Sequence, residues 1–274
     1  LIYIKVAAME KYKGIGVFDS GLGGLTVASA ITKILPNEKI YYFGDTAHVP
    51  YGNKTEGQIV RYVFDIIDFL KTRGIKSLVM ACNTSSAVVL PKLNGNIKAP
   101  VLGVIEFASR MALQASDNEV IGVVANPVTV SSGAYIRTIM GISMNGTKIH
   151  QQACPRWVPL IEAGIFDGEE VEKVVREDIE PLLEKNIDTL ILGCTHYPYF
   201  APVIKRIAGD GLKIINPADS LAYQLKKILS DSGSLSDDPN PEHEFYVSGN
   251  PDDFRTNGSR FLGTEIKSVH KVTL

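Results

Sequence analysis

Short apolar runs alternate with longer amphipathic stretches along this chain, a pattern that predicts strands separated by helices. Gly14-Ile-Gly-Val-Phe18 reads as a buried strand, Asp19-Ser-Gly-Leu-Gly-Gly24 as a turn, and residues 25–35 as a helix stopped by Pro36-Asn37. Residues 39–43 predict a second strand, and residues 44–53 a long loop. Ile59, Val63, Ile66, Ile67 and Leu70 fall on one helical face, so residues 55–72 predict a helix with Thr55 as its cap. A strand at 77–81, a helix from Ser85 and a strand at 101–105 complete the first half.

The second half repeats the alternation, with a helix at 107–115, a strand at 120–124, a helix at 130–140 and a strand at 148–152. Residues 168–185 read as helical, Pro181 marking a kink or break, and are followed by strand 189–193, a helix and strand 213–216. Pro217-Ala-Asp-Ser220 caps a helix running to Leu229. Residues 230–242, rich in Ser, Asp and Pro, predict a mobile loop, 243–248 a strand and 252–262 a short helix. The expected fold class is α/β, with mainly parallel sheets flanked by helices. No linker separates the halves, so the chain is expected to cross between domains at strand ends. Residues 14–105 plus 217–274 form one domain in this reading, and 106–216 the other.

Two stretches echo one another within the pattern. Val79-Met-Ala-Cys-Asn-Thr84 and Ile191-Leu-Gly-Cys-Thr-His196 each end an apolar run in a small residue, a cysteine and polar residues. Each follows a helical pattern and a short break, and Ile75 and Ile187 keep the same spacing as Cys82 and Cys194. They read as two copies of one helix–strand–cysteine unit. Sites in open parallel sheets form beyond the carboxyl ends of strands, which puts Asp19-Ser20, the 44–52 loop, Cys82-Asn-Thr84 and Cys194-Thr-His196 on the rim.

Composition narrows the function classes. A length of 274 residues suits two domains, and 45% hydrophobic with 21% charged residues is ordinary for a soluble protein. A net charge of −2 offers no basic footprint for nucleic acid. No apolar run approaches the roughly 18–20 residues of a membrane span. Residues 1–8 have no basic region ahead of them, which argues against a signal peptide, and Met9 is the expected native start. Three cysteines suit a reducing cytoplasm better than an oxidised setting. Asn83, Asn145 and Asn257 begin Asn-x-Ser/Thr patterns that read as chance matches.

A lone buried cysteine is ordinarily a small hydrophobe, and Cys154 is read that way. Cys82 and Cys194 differ, standing at equivalent strand ends beside hydroxyl, amide and imidazole groups. Zinc-ligand spacing and a Cys-x-x-Cys pair are both lacking. The Asp19 to Gly24 turn departs from the dinucleotide pattern, because position 26 is Thr, and lacks the Gly-Lys-Ser/Thr of a Walker loop. Its glycines suit a sharp turn beside a small anionic ligand, with Asp19 either a cap or a charged participant. His196 reads as the partner of Cys194, whereas His48, His150, His243 and His270 have no such setting; Tyr41-Tyr42 reads as sheet packing.

Val17-Phe-Asp-Ser-Gly-Leu-Gly-Gly24, Gly44-Asp-Thr-Ala-His-Val-Pro-Tyr-Gly52, Ala81-Cys-Asn-Thr84 and Leu192-Gly-Cys-Thr-His-Tyr-Pro198 occur in that order. Together they resemble the cofactor-independent glutamate racemases of the aspartate/glutamate racemase superfamily, across residues 14–263. The resemblance implies two facing, pseudo-symmetric domains with the active site in the cleft between them. It implies interconversion of L- and D-glutamate without cofactor or metal, supplying D-glutamate for peptidoglycan and so for cell wall biogenesis and cell shape. Cys82 and Cys194 become the acid/base pair, Asp19 supporting the first, His196 and Glu162 the second. Substrate-binding positions carry over to Asp19, Ser20, Pro50, Tyr51, Gly52, Asn83, Thr84, Thr129, Thr195 and His196. A homodimer is the family's commonest state, and neither nucleic acid nor membrane is an expected partner. Two departures stand out: Ala125-Asn126 in place of Gly-Thr, and Arg156-Trp157 in place of a small or aliphatic residue plus Phe. They bear on backbone position and helix packing, hence on affinity more than chemistry.

Inverting an α-carbon means taking a proton from one face and returning one to the other, so two opposed groups are the simplest solution, one thiolate and one thiol. A helix start or neighbouring cation can lower a thiol from its reference pKa of about 8.5. A carbon acid of pKa on the order of twenty lies about twelve units above the base, or roughly 16 kcal/mol. Fixed donors such as Ser20, Asn83, Thr84 and Thr195 must therefore stabilise the transition state. Aspartate is the nearest rival substrate, since one methylene is worth only about 1–3 kcal/mol of discrimination. A non-catalytic amino-acid-binding or regulatory protein is the alternative from another class. A one-cysteine decarboxylase or hydrolase fits less well, because both cysteines are present.

Overall fold

The apolar runs fold as strands buried on both faces, as parallel sheets covered by helices require. β1 (Gly14–Asp19), β2 (Ile40–Gly44), β3 (Ile75–Met80) and β4 (Val101–Gly103) lie in the order β2-β1-β3-β4, all parallel. The second sheet holds β5 (Val120–Ala125), β6 (Lys148–Ala153), β7 (Thr189–Gly193) and β8 (Lys213–Ile215) in the order β6-β5-β7-β8, also parallel. Both four-strand cores thus share one strand order, with β3 and β7, which lead into Cys82 and Cys194, in equivalent places. β9 (Glu244–Val247) and β10 (His270–Lys271) extend the β2 edge of the first sheet.

The computed structural model describes residues 11–93, 97–144 and 146–274, so the expectations for residues 1–8, Met9 and Asn145 lie outside the described residues. The described chain up to Val104, with Ala218–Leu274, forms one compact unit, and Ile105–Pro217 forms the other. The first unit carries α1 (Leu25–Ile34), α2 (Glu56–Thr72) and α3 (Asn83–Val88). Helices α4 (Val104–Ala115), α5 (Pro127–Ser131), α6 (Ala134–Ile142), α7 (Trp157–Glu162), α8 (Glu169–Leu183) and α9 (Ala201–Ala208) follow. Then come α10 (Pro217–Asp231) and α11 (Pro251–Leu262), which return to the first unit. Among the described residues no helix is long and apolar enough to cross a membrane.

Helix α2 forms as its pattern predicts. Thr55 Oγ1 accepts from Gln58 N, the Gln58 side chain accepts from Thr55 N, and the stripe of Ile59, Val63, Ile66, Ile67 and Leu70 is buried. Each such side chain contributes roughly 1.5–3 kcal/mol by leaving water. Elsewhere tertiary contacts override the local pattern. Helix α3 begins at Asn83 rather than Ser85, because Cys82 caps it, Sγ accepting from Ser85 N at 3.5 Å. The strand expected at 101–105 stops at Gly103, and Val104 and Ile105 open α4. The helix expected at 130–140 is two, α5 and α6, parted at Gly133, whose φ of 63° glycine adopts freely. Helix α7 has no counterpart among the predicted elements. α8 runs unbroken through Pro181, which lies exposed in its final turn, where a lost backbone bond disrupts little.

The segment read as a mobile loop is pinned at the base of the first sheet. Glu38 Oε1 accepts from Ser236 N at 2.8 Å, and Lys76 Nζ donates to Ser234 O at 2.7 Å. Lys76 and Glu38 are themselves a buried ion pair, 2.6 Å apart. At the other end of the second sheet, Gly193 pairs with Ala125. A Cβ at Gly193 would stand 2.8 Å from Val124 O and 2.9 Å from Ala125 Cβ. Gly193→Ala is expected to lower stability by about 1–3 kcal/mol, read as a lower urea midpoint.

Candidate active site

Strand order reverses between β1 and β3 in the first sheet and between β5 and β7 in the second. Loops leaving the carboxyl ends of strands on either side of such a reversal diverge, and a crevice opens there. The residues delivered to these points are Asp19-Ser20 and Cys82 in one unit, Asn126 and Cys194 in the other. The echo in the sequence is therefore a repeated position in topology.

In the first unit Asp19 is buried at the end of β1, its Oδ2 accepting from Gly21 N at 2.9 Å. Gly24 lets Asp19 come this close, since a Cβ there would stand 2.4 Å from that of Asp19. Cys82 Sγ lies 3.7 Å from Ser20 Oγ, to which the thiol donates. Burial first, and the Asp19 charge second, push the Cys82 thiol up to about 11, against the pull of hydrogen bonds from Ser85 and Ser20. The helix start pulls the thiol down through the Ser85 amide, but removal from water outweighs it and the net shift is upward. Asn83 and Thr84 are buried in the first turn of α3. Of the 44–52 loop, Tyr51 is buried, Gly52 half-buried and Pro50 exposed, and the Val49–Pro50 peptide is cis.

The second unit holds Cys194, Thr195 and His196 just beyond β7, all buried. Cys194 Sγ accepts from Asn126 Nδ2 at 3.5 Å and stands 3.8 Å from His196 Nδ1. The far side of that imidazole, Nε2, lies 3.3 Å from Glu162 Oε1, at the end of α7. The imidazole thus stands between the thiol and a carboxylate, one ring nitrogen facing each. Thr129 is fully buried in α5. The departure at Arg156-Trp157 sits behind this line. The Trp157 indole donates to Asp178 Oδ2 at 2.8 Å and its ring packs 4.6 Å from that of Tyr197, whose hydroxyl donates to Cys154 O at 2.9 Å. Cys154 is sealed in this core, and burial drives its thiol far above the usual range.

Two contacts were not readable from sequence. Asn126 touches the Cys194 sulfur itself, and His48, for which no setting was expected, donates to the buried Asp45 carboxylate at 2.8 Å. Asp45 follows the apolar run of β2 directly, and that strand-end position was its one available signal. Among the described residues no group of three His, Cys, Asp or Glu side chains is placed to hold a metal ion.

The model of the Asp/Glu/Hydantoin racemase family matches residues 20–225. A glutamate racemase of Desulforudis audaxviator is 40% identical over 95% of this chain and 97% of that protein. The chain belongs to this racemase family. It is accordingly an enzyme, which removes the non-catalytic binding protein weighed from sequence. Its fold is also that of solved family members. The glutamate racemase isoform RacE1 of Bacillus anthracis superimposes with a TM-score of 0.93 at 39% identity, covering 96% of this chain and 98% of that one. A glutamate racemase of Francisella tularensis, solved in complex with D-glutamate, gives 0.88 at 36% identity and the same coverage.

Proposed function

We propose that this racemase interconverts L- and D-glutamate, with Cys82 and Cys194 as its two proton carriers. The observation that carries the reading is a pair of free, buried thiols at equivalent strand ends, each with partners suited to both protonation states. As a thiol, Cys82 donates to Ser20; as a thiolate, it accepts from the Ser20 hydroxyl and the Ser85 amide. Cys194 accepts from Asn126 in either form and exchanges its proton with the imidazole beside it. One thiolate takes the α-proton from one face of the substrate, and the other thiol returns a proton to the opposite face. The roles swap with the handedness of the substrate.

Charge leaving the α-carbon collects on the substrate α-carboxylate, which needs fixed donors rather than competing bases. Ser20, Asn83, Thr84 and Thr195 supply them, and Thr129 and the 50–52 loop complete the binding set. Asp19 attracts the substrate ammonium, and Glu162 orients His196. Similarity to a racemase solved with D-glutamate supports glutamate over aspartate. We place the reaction in the cytoplasm, in a homodimer that supplies D-glutamate for peptidoglycan; the sparse, unpaired cysteines and the family likeness support this.

Circular dichroism of the purified protein with L-glutamate and, separately, L-aspartate tests the reading with no cofactor added. The glutamate signal is expected to decay to zero from either enantiomer. Faster loss with aspartate would reassign the substrate, and no loss with either would end the proposal. The pH profile of kcat/KM should be bell-shaped, because one thiol and one thiolate are needed together, and its limbs belong to the pair. Burial and the Asp19 charge push the Cys82 thiol up to about 11, which carries the alkaline limb of the pair upward. Asp19→Asn removes a like charge from beside that thiol, so the limb is expected to move to lower pH. A limb that stays put would take Asp19 out of this role.

A further inference from the structure

Asp45 directly follows β2, and its carboxylate is 1% exposed. A charge so sealed from water must be met by protein donors. Oδ2 accepts from the Tyr51 hydroxyl at 2.5 Å. Oδ1 accepts from Ser248 Oγ at 2.6 Å and from His48 Nδ1 at 2.8 Å, which fixes the proton on that ring nitrogen. The donors come from separate parts of the chain: Tyr51 and His48 from the loop itself, Ser248 from the residue after β9. Ser248 Oγ also accepts from Ala47 N at 3.0 Å, and the Asp45 amide donates to Asp19 O at 3.0 Å. On its outer side His48 stacks on Tyr62 of α2, with ring centroids 3.8 Å apart.

We infer that Asp45 is the positioning residue of the substrate loop, holding Pro50-Tyr51-Gly52 at the end of β1 through Tyr51, His48 and Ser248. The inference rests on the glutamate site proposed above. Asp45 itself touches no reacting atom in this scheme, so its loss acts on binding more than on chemistry. An amide of the same shape has one acceptor oxygen and no charge, too few for three donors.

Asp45→Asn and Ser248→Ala test this in the full-length protein, by racemisation kinetics and by amide hydrogen exchange over residues 46–53. Asp45→Asn is expected to speed exchange in that loop and raise the glutamate KM roughly 10- to 100-fold, with kcat within about 3-fold. Ser248→Ala, at a residue outside the proposed substrate-binding set, is expected to raise KM about 3- to 10-fold, and the double variant to be no worse than Asp45→Asn alone. Unchanged exchange in Asp45→Asn overturns the inference. So does faster exchange with KM unchanged, or a fall in kcat at constant KM. If Asp45→Asn does not fold, Ser248→Ala decides by the same two readouts. Wild-type protein that racemises no glutamate defeats the proposed substrate instead, and the exchange data still judge whether Asp45 holds the loop.

Discussion

Cys82→Ala and Cys194→Ala are each expected to lower glutamate racemisation by roughly 10²–10⁴-fold, the range of a lost general acid or base. The effect is large because nothing else among the assigned groups takes or returns the α-proton on that face. Serine in place of either cysteine is no substitute, since a hydroxyl is a far weaker acid than a thiol. What survives in each single variant is diagnostic. A variant retaining Cys82 can still remove and return the proton of one enantiomer, and one retaining Cys194 that of the other. In D₂O each is expected to wash deuterium into a different enantiomer without inverting it, read by mass spectrometry and chiral chromatography. Full racemisation in the double alanine variant would refute the two-thiol mechanism.

Lys76→Met is expected to destabilise the protein by about 3–5 kcal/mol, because it leaves a buried carboxylate without its counter-charge. Lys76 and Glu38 are each 1% exposed at the side chain and 2.6 Å apart. The ammonium also donates to Lys11 O and Ser234 O, so the substitution strips two backbone carbonyls of a donor. Glu38 in turn holds the Ser236 amide, so the loss extends to the segment after α10. Adding Glu38→Gln should recover much of the loss, because a neutral amide no longer needs the cation. Urea unfolding followed by far-UV circular dichroism measures both. A single-variant loss below about 1 kcal/mol would show that the pair is dispensable.

Much of the fold is legible in the chain because its signals are local. The apolar run of β3 ends where Cys82 begins, and the capping box at Thr55 and Gln58 announces α2. The 230–242 segment misled because its composition speaks of solvent, while its restraint comes from Glu38 and Lys76, distant in sequence. Gly133 within an otherwise helical pattern was a weak hint of the break between α5 and α6. Asn126 was visible only as a departure from a family pattern, and its contact with Cys194 depends on β5 and β7 lying side by side.

The sequence alone determined the strand–helix alternation, the two equivalent strand ends and the family, because periodicity and motif are properties of neighbouring residues. Tertiary structure alone decided which groups meet at each thiol and raised Cys82 to about 11 through burial. It also gathered Tyr51, His48 and Ser248 on Asp45. Those outcomes depend on desolvation and on distances between residues far apart along the chain, which exist only once the sheets have formed.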